Sequence, residues 1–305
     1  MLLLAGLCLL TIGHPGLADS TSPRLAAYYE ARMLVCGDTA FHWHGEETPR
    51  RLAAGIVQVG VGRDALYALT RAGALLGWDG DGTARTTLLD RVDWFAAGRT
   101  GLFARQRDGT FRFIARPARW FSEGEPSEPE AIDADVIAAS VGDSADYYVT
   151  SEGRLFVRGL AHRGQYGDGR LQARDGFVPV ARDVTAVKAH TGHALILTRA
   201  GTVKGTGGNI YGPLGRHGIG DKAIVWGPIF SGAVAIATGS SHSLALRADS
   251  GLWQWGRDIG LDPAPVLSEV TAAAADRAGS MALRSDGSLW QWDRGEAPRR
   301  HFRCP

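Results

Sequence analysis

The stretch Ser280-Met281-Ala282-Leu283-Arg284 leads through Ser285-Asp286-Gly287 into Ser288-Leu289-Trp290-Gln291-Trp292, two apolar-rich runs joined by a tight turn. The same phrase stands at Ser243-Leu244-Ala245-Leu246-Arg247, Asp249-Ser250-Gly251 and Leu252-Trp253-Gln254-Trp255-Gly256. Worn copies turn at Gly73, Gly109, Gly153 and Gly201, and the first at Cys36-Gly37-Asp38 before Ala40-Phe41-His42-Trp43. Subtracting each turn glycine's number from the next, Gly37 to Gly287, gives steps of 36, 36, 44, 48, 50 and 36. A period of this length sets the architecture before any single residue is considered. It suits four short strands per unit and is too short for a repeated βαβ unit with its loops.

The runs themselves read as strands. Val57-Gln58-Val59, Leu66 to Leu69, Val184 to His190 and Ala194 to Leu197 alternate with period two. Pro23 to Leu34 is the one helix candidate, because Leu25-Ala26-Ala27-Tyr28 fits either pattern. Four-stranded antiparallel sheets have two faces to cover, and radial stacking of seven covers both without long free edges. The fold expected is all-β, a seven-bladed propeller. Trp253 with Trp255, and Trp290 with Trp292, share strand faces and are expected to fill the wedges between blades.

Composition is that of an ordinary globular chain: 305 residues, 45% hydrophobic, 21% charged, net charge +1. The 41 glycines suit a chain of many hairpins. No basic block is present, which argues against nucleic acid as a partner, since phosphate neutralisation needs concentrated cations.

Leu2 to Ile12 is an apolar run too short to span a bilayer, and Gly16-Leu17-Ala18 places small residues at a cleavage site. Residues 1–18 are therefore read as a signal peptide, with a single seven-repeat domain over 19–305. A buried strand is the alternative for the apolar run. Export, to the periplasm or medium, with no membrane partner after cleavage, is the expectation. Removal of the signal leaves two cysteines, Cys36 in the first repeat and Cys304 next to the last residue. A ring-shaped fold brings those ends together, and an oxidising compartment would let them bond. Two buried free thiols are the alternative; the disulfide is the preferred reading.

Gly164-Gln165-Tyr166-Gly167-Asp168-Gly169 resembles the Gly-Gln-Leu-Gly-x-Gly loop of the regulator of chromosome condensation repeat. Tyr211-Gly212-Pro213-Leu214-Gly215-Arg216-His217-Gly218 is a looser version. Gly239-Ser240-Ser241-His242-Ser243-Leu244-Ala245-Leu246 resembles the companion Gly-x-x-His-x-x-x-Leu motif, and Gly192-His193 a degenerate form of it. The resemblance spans about residues 28–305, is strongest over 142–256, and implies a seven-bladed propeller. Among exported chains of this repeat type, the β-lactamase inhibitory propeller is the nearest functional precedent, and no local motif carries its interface residues over.

Chemistry-bearing candidates are few. His193 and His242 fall at equivalent strand starts, where a hydrogen bond to a neighbouring backbone competes with a metal or acid–base role. His42 and His44 flank Trp43 and project to one face, but no third zinc ligand lies near in sequence, so an exposed pair is expected. Asp286-Gly287-Ser288-Leu289-Trp290 and Asp108-Gly109-Thr110-Phe111 faintly resemble Asp-box turns, and an Asp-Gly hairpin explains both. No Gly-x-Ser-x-Gly elbow, Walker loop or His-Glu-x-x-His sequence occurs.

The loops before each Gly-x-x-His strand should ring one face, a natural place for binding residues on a rigid scaffold. They contribute Arg63, Arg99, Asp143, Tyr147, Tyr148 and Arg277; the insertion around Trp120 and Phe121 is a second candidate. The reading is a monomeric, non-enzymatic binding protein that presents a loop face to a protein partner, in an inhibitor-like or adhesive role, with no cofactor and no metal. The alternative is a propeller lyase or glycosidase with its site at the channel mouth, which inward-facing Asp, Glu, His and Arg would support.

Overall fold

The computed structural model describes residues 24–115, 129–217, 220–277 and 279–305. Blade one consists of β1 (Leu25–Tyr28), β2 (Ala31–Cys36), β3 (Thr39–His44) and β4 (Arg50–Ala54). Blade two holds β5 (Ile56–Gly62), β6 (Ala65–Thr70), β7 (Leu75–Asp79) and β8 (Arg85–Leu89). Blade three holds β9 (Val92–Ala97), β10 (Gly101–Gln106), β11 (Thr110–Ala115) and β12 (Glu130–Ala134). Blade four follows with β13 (Val136–Val141), β14 (Ala145–Thr150), β15 (Leu155–Gly159) and β16 (Val178–Ala181). In blade five these are β17 (Val184–Ala189), β18 (His193–Thr198), β19 (Val203–Gly208) and β20 (Lys222–Phe230). In blade six they are β21 (Ala233–Thr238), β22 (His242–Arg247), β23 (Leu252–Gly256) and β24 (Gly260–Leu267). Blade seven closes the chain with β25 (Val270–Ala275), β26 (Gly279–Arg284), β27 (Ser288–Asp293) and β28 (Arg299–Arg303).

Every sheet is built from four consecutive antiparallel strands. The first strand of each blade lies innermost, and these seven strands meet in order around an axis until β25 reaches β1. The result is a seven-bladed β-propeller.

Seven hydrophobic clusters fill the seven wedges between neighbouring blades. Trp43, Trp255 and Trp292 are the largest fully buried side chains. The Trp-Gln-Trp sequence explains their linkage. The central glutamine faces opposite to its tryptophans, and Gln254 accepts the Trp292 indole N–H of the next blade at 3.0 Å. Gln291 accepts that of Trp43, across the ring closure, at 3.4 Å. Only the second tryptophan of each pair fills a wedge. Trp253 and Trp290 stay half-exposed, with the guanidinium groups of Arg247 and Arg284 above them at 5.9 and 5.5 Å.

Among the described residues no blade borrows a strand from the other terminus, and side chains close the ring. Cys36 and Cys304 form a disulfide across 268 residues of sequence, with Cα atoms 5.4 Å apart. Arg32 and Asp276 form a buried ion pair at 2.9 Å between blades one and seven. Gln291 Nε2 donates to the Gly45 carbonyl and to Glu46, at 3.1 and 2.7 Å.

Two local expectations are corrected. The helix expected over Pro23 to Leu34 is absent from its described part, residues 24–34, which holds β1, the reversal at Tyr29-Glu30 and the start of β2. The small Ala26 and Ala27 suit a strand at the axis, where seven backbones converge. At Asp249-Ser250-Gly251 the left-handed residue is Ser250, with φ +64°, so this hairpin is shifted by one residue from the turn at Gly287.

Candidate protein-binding face

Because strands alternate in direction, the loops after the first and third strands of every blade emerge on one face. The first-strand loops make an inner ring around the channel mouth. Arg63, Arg99 and Arg277 stand exposed there, Asp143 half-buried, as expected for loop residues. Arg63 lies 3.7 Å from Asp64, and the Arg277 guanidinium sits 5.6 Å from the Tyr29 ring centre.

Tyr28 crosses this mouth. Its hydroxyl donates to Asp143 of blade four at 2.7 Å, and its ring stacks on His190 of blade five at 5.7 Å. In a ring of seven, blades four and five are those farthest from blade one. Burial, with the Asp143 carboxylate beside it, pushes the Tyr28 hydroxyl well above the usual phenol range.

Tyr147 and Tyr148 do not belong to this surface. Both are buried, Tyr147 in the wedge toward blade five and Tyr148 in the wedge toward blade three. The Tyr147 hydroxyl donates to the Gln165 carbonyl at 2.8 Å, and Tyr148 stacks on Phe156 at 4.9 Å. Alternation sends them to opposite sides, but both sides of a propeller blade are core. Trp120 and Phe121 lie outside the described residues.

The histidines are structural. His242 Nε2 bonds Ser280 Oγ of the next blade at 2.8 Å, and His193 Nε2 reaches Ser243 Oγ at 3.4 Å. Both thus meet serine side chains, and His242 also has the Gly279 backbone as a hydrogen-bond partner, as expected for one of the two. Burial holds both far below the ordinary imidazole range, at about 3. Gly239 precedes His242 because a Cβ there would overlap the His242 ring and the Asp276 carbonyl. His42 is buried, not exposed, and His44 Nε2 lies 3.1 Å from the Gly80 carbonyl. Among the described residues no group of three or more His, Cys, Asp or Glu is placed to hold a metal. In the two Asp-box-like turns, Asp286 and Asp108 accept their own chain's N–H at Ser288 and Thr110, which makes them hairpin turns.

The third-strand loops of blades four to six carry what sequence reasoning missed. A cleft of about 820 Å³ opens between Asn209–Gly212, Gly215, Arg216 and Gly220 of blade five and Gly256–Leu261 of blade six. Ile210, Tyr211 and Leu261 line it at 60%, 51% and 45% exposure. The Arg257 guanidinium lies 4.5 Å from the Tyr211 ring centre, and Arg216 pairs with Asp262 through two hydrogen bonds of 2.6 and 2.7 Å. Leu160, Leu171, Ile224 and Val225 are also exposed. Among the described residues, seven of the eight exposed large apolar side chains thus fall in blades four to six.

The family-like loops anchor this region. Gly164 lies so close to the Ala223 carbonyl that a Cβ would overlap it, and Gly169 N–H donates to the Ile224 carbonyl at 2.8 Å. The Pro213 carbonyl accepts from Ser243 Oγ and Trp255 Nε1, each at 2.8 Å, while Leu214 is fully buried. Ile210 and Tyr211 are held out on this fixed base. The available signal was an apolar pair inside a polar, glycine-rich loop.

Comparison with known proteins agrees with this architecture. No family model matches the chain. E3 ubiquitin-protein ligase HERC2 of Homo sapiens is 32% identical over 145 residues, 43% of this chain and 3% of that protein. The secretion-regulating guanine nucleotide exchange factor of Bos taurus is 33% identical over 120 residues, 36% of this chain and 25% of that protein. The chain therefore matches only a small part of these relatives' length. Among solved structures, Prp20p of Saccharomyces cerevisiae superposes with a TM-score of 0.71 at 17% identity, covering 85% of this chain and 81% of that one. Human WBSCR16 gives 0.69 at 16% identity, covering 85% and 84%. The chain is a seven-bladed β-propeller whose fold is similar to that of RCC1 (Prp20), and its sequence is similar to the two curated proteins over less than half its length.

Proposed function

We propose that this propeller is an exported, non-enzymatic protein-binding module whose partner docks on the face formed by the third-strand loops of blades four to six. The observation that carries the reading is the concentration of exposed apolar side chains around the Ile210–Tyr211–Leu261 cleft. Aromatic and aliphatic anchors in a concave site, with arginine at the rim, have the composition of interface centres. Patches of this kind on a soluble chain mark interaction sites. Proteins of similar fold have protein partners: Prp20p binds Gsp1p and histones, and yeast RCC1 (Prp20) is bound by Kap60. Export rests on the apolar Leu2–Ile12 run and suits the Cys36–Cys304 bond.

The test is affinity capture from the producing cell's envelope and medium with the full chain, in parallel with a Tyr211→Ala/Leu261→Asp double variant. A protein retained by the first and lost by the second supports the assignment. Equal retention by both removes this face from the binding site. N-terminal sequencing of the exported chain, with a start at about Asp19 expected, tests the signal.

A further inference from the structure

The charged residues that line the Ile210–Tyr211–Leu261 cleft are Arg216, Arg257 and Asp258. Arg216 is taken up by Asp262 through its two hydrogen bonds. Asp258 is shared between two cations. Its Oδ2 lies 3.5 Å from Arg257 Nε and 3.7 Å from Arg294 Nε, both longer than a hydrogen bond. Arg257 therefore has no carboxylate to itself. Its guanidinium lies over the Tyr211 ring, its side chain is 45% exposed, and among the described residues its terminal nitrogens make no hydrogen bond.

Both walls of the cleft are fixed. Asn209 Nδ2 donates to the Gly215 and His217 carbonyls at 3.3 and 3.0 Å, and its Oδ1 accepts from the Leu214 N–H at 2.9 Å. Leu261 seats directly on this loop. A Cβ at Gly212 would stand 2.4 Å from its Cδ2, and one at Gly215 would stand 2.8 Å from its carbonyl oxygen. Tyr211 and Leu261 therefore form one continuous apolar surface. On the other wall, Gly295 of blade seven packs so closely on the Asp258 carbonyl that a Cβ would overlap it, and Arg294 donates to the Arg277 carbonyl. A wall held in this way has little left to order when a partner arrives, which lowers the cost of binding.

We propose that the cleft accepts a polypeptide segment in which a large apolar side chain stands beside a carboxylate, the apolar group on the Tyr211–Leu261 surface and the carboxylate on Arg257. This rests on the protein-binding reading above and adds the chemistry of the partner. The two contacts have different roles. Apolar burial supplies affinity, whereas the exposed guanidinium selects by charge and would repel a cationic segment. The volume of about 820 Å³ lies in the range of sites that enclose a ligand-sized group.

The probe is the capped peptide acetyl-Ser-Phe-Asp-Ser-amide, titrated at low ionic strength into the isotope-labelled full chain and followed by NMR. The backbone amides of Tyr211, Arg257 and Leu261 should shift together. Replacing the peptide's Phe by Ala should weaken binding about tenfold or more. Replacing its Asp by Asn should weaken it about fivefold, the upper range for an exposed ion pair. Arg257→Gln should erase the difference between the Asp and Asn peptides and keep the difference between Phe and Ala. Absence of shifts, or equal binding of the Asp and Asn peptides to the wild-type chain, overturns the proposal. So does tighter binding of hexanoate than of the peptide, which would make this a site for a small amphiphile. These wild-type ratios decide the matter even where the variant fails to fold. A partner captured through this face that the peptide does not displace removes the proposal and leaves the protein-binding reading standing. Equal capture by the Tyr211→Ala/Leu261→Asp variant removes that reading as well.

Discussion

The Tyr28 hydroxyl and the Asp143 carboxylate meet at 2.7 Å across the channel mouth, joining the first blade to the fourth. The contact spans 115 residues of sequence and lies beside the buried edge of His190. Tyr28→Phe removes that hydrogen bond and keeps the ring stack. Asp143 is half-buried, so water can replace part of what is lost, and the expected destabilisation is about 1 kcal/mol. Urea unfolding should show a lower midpoint with an unchanged slope. An unchanged midpoint would mean that the contact contributes nothing.

Ring closure should depend on the Cys36–Cys304 bond. In the chain-entropy description, a loop closed across 268 residues restricts the unfolded state by about 5 kcal/mol, an upper figure. Cys304→Ser should therefore lower stability by several kcal/mol, read as a lower thermal midpoint without loss of the native β-sheet spectrum at 25 °C. Intact mass should rise by two hydrogens on reduction of the wild-type chain.

Arg32 and Asp276 secure the same seam without covalent help. Their side chains are 6% and 1% exposed, so removing one partner strands a buried charge. Asp276→Asn or Arg32→Met should each cost about 3–5 kcal/mol, and the double variant clearly less than the sum. Additive losses in a double-mutant cycle would show that the two charges are not coupled.

Acid should weaken the fold through His193 and His242. Each has a pKa of about 3 in the fold against about 6.5 unfolded, so the unfolded chain binds the extra proton. The neutral-histidine contribution is complete above pH 6.5 and is lost as pH falls from 6.5 toward 3. By pH 5 each histidine should account for about 2 kcal/mol of lost stability. Asp146 works the other way. Burial raises it to about 6 despite Arg158 at 3.3 Å, so the folded state keeps its proton between about 6 and 3.8. His242→Asn isolates one histidine: the stability lost between pH 7 and pH 5 should shrink by about 2 kcal/mol. The same loss in variant and wild type would show that His242 does not titrate as described.

Blades were legible because their determinants are local. A turn residue with positive φ and a run of period two need no distant partner, and the chain repeats that arrangement seven times. The same locality caused the errors. Tyr147 and Tyr148 read as binding-surface residues because they stand next to a loop, whereas a blade packed between neighbours covers both faces of its strands. The serines that His193 and His242 meet went unread because they lie 50 and 38 residues away. Tyr211 read as part of a family loop, Ile210 belonged to no motif, and nothing local shows that Leu261 faces them across a cleft.

The sequence by itself determined the repeat, the all-β architecture, the hairpin turns, and the Trp-Gln-Trp segments that link one blade to the next. Each follows from dihedral preference or strand alternation within one unit. Only the tertiary structure decided which Trp is covered, how Cys36 and Arg32 find Cys304 and Asp276, and that Tyr28 crosses the mouth. Those relationships exist only after seven blades close into a ring, because closure brings residues far apart in sequence to one seam or one axis.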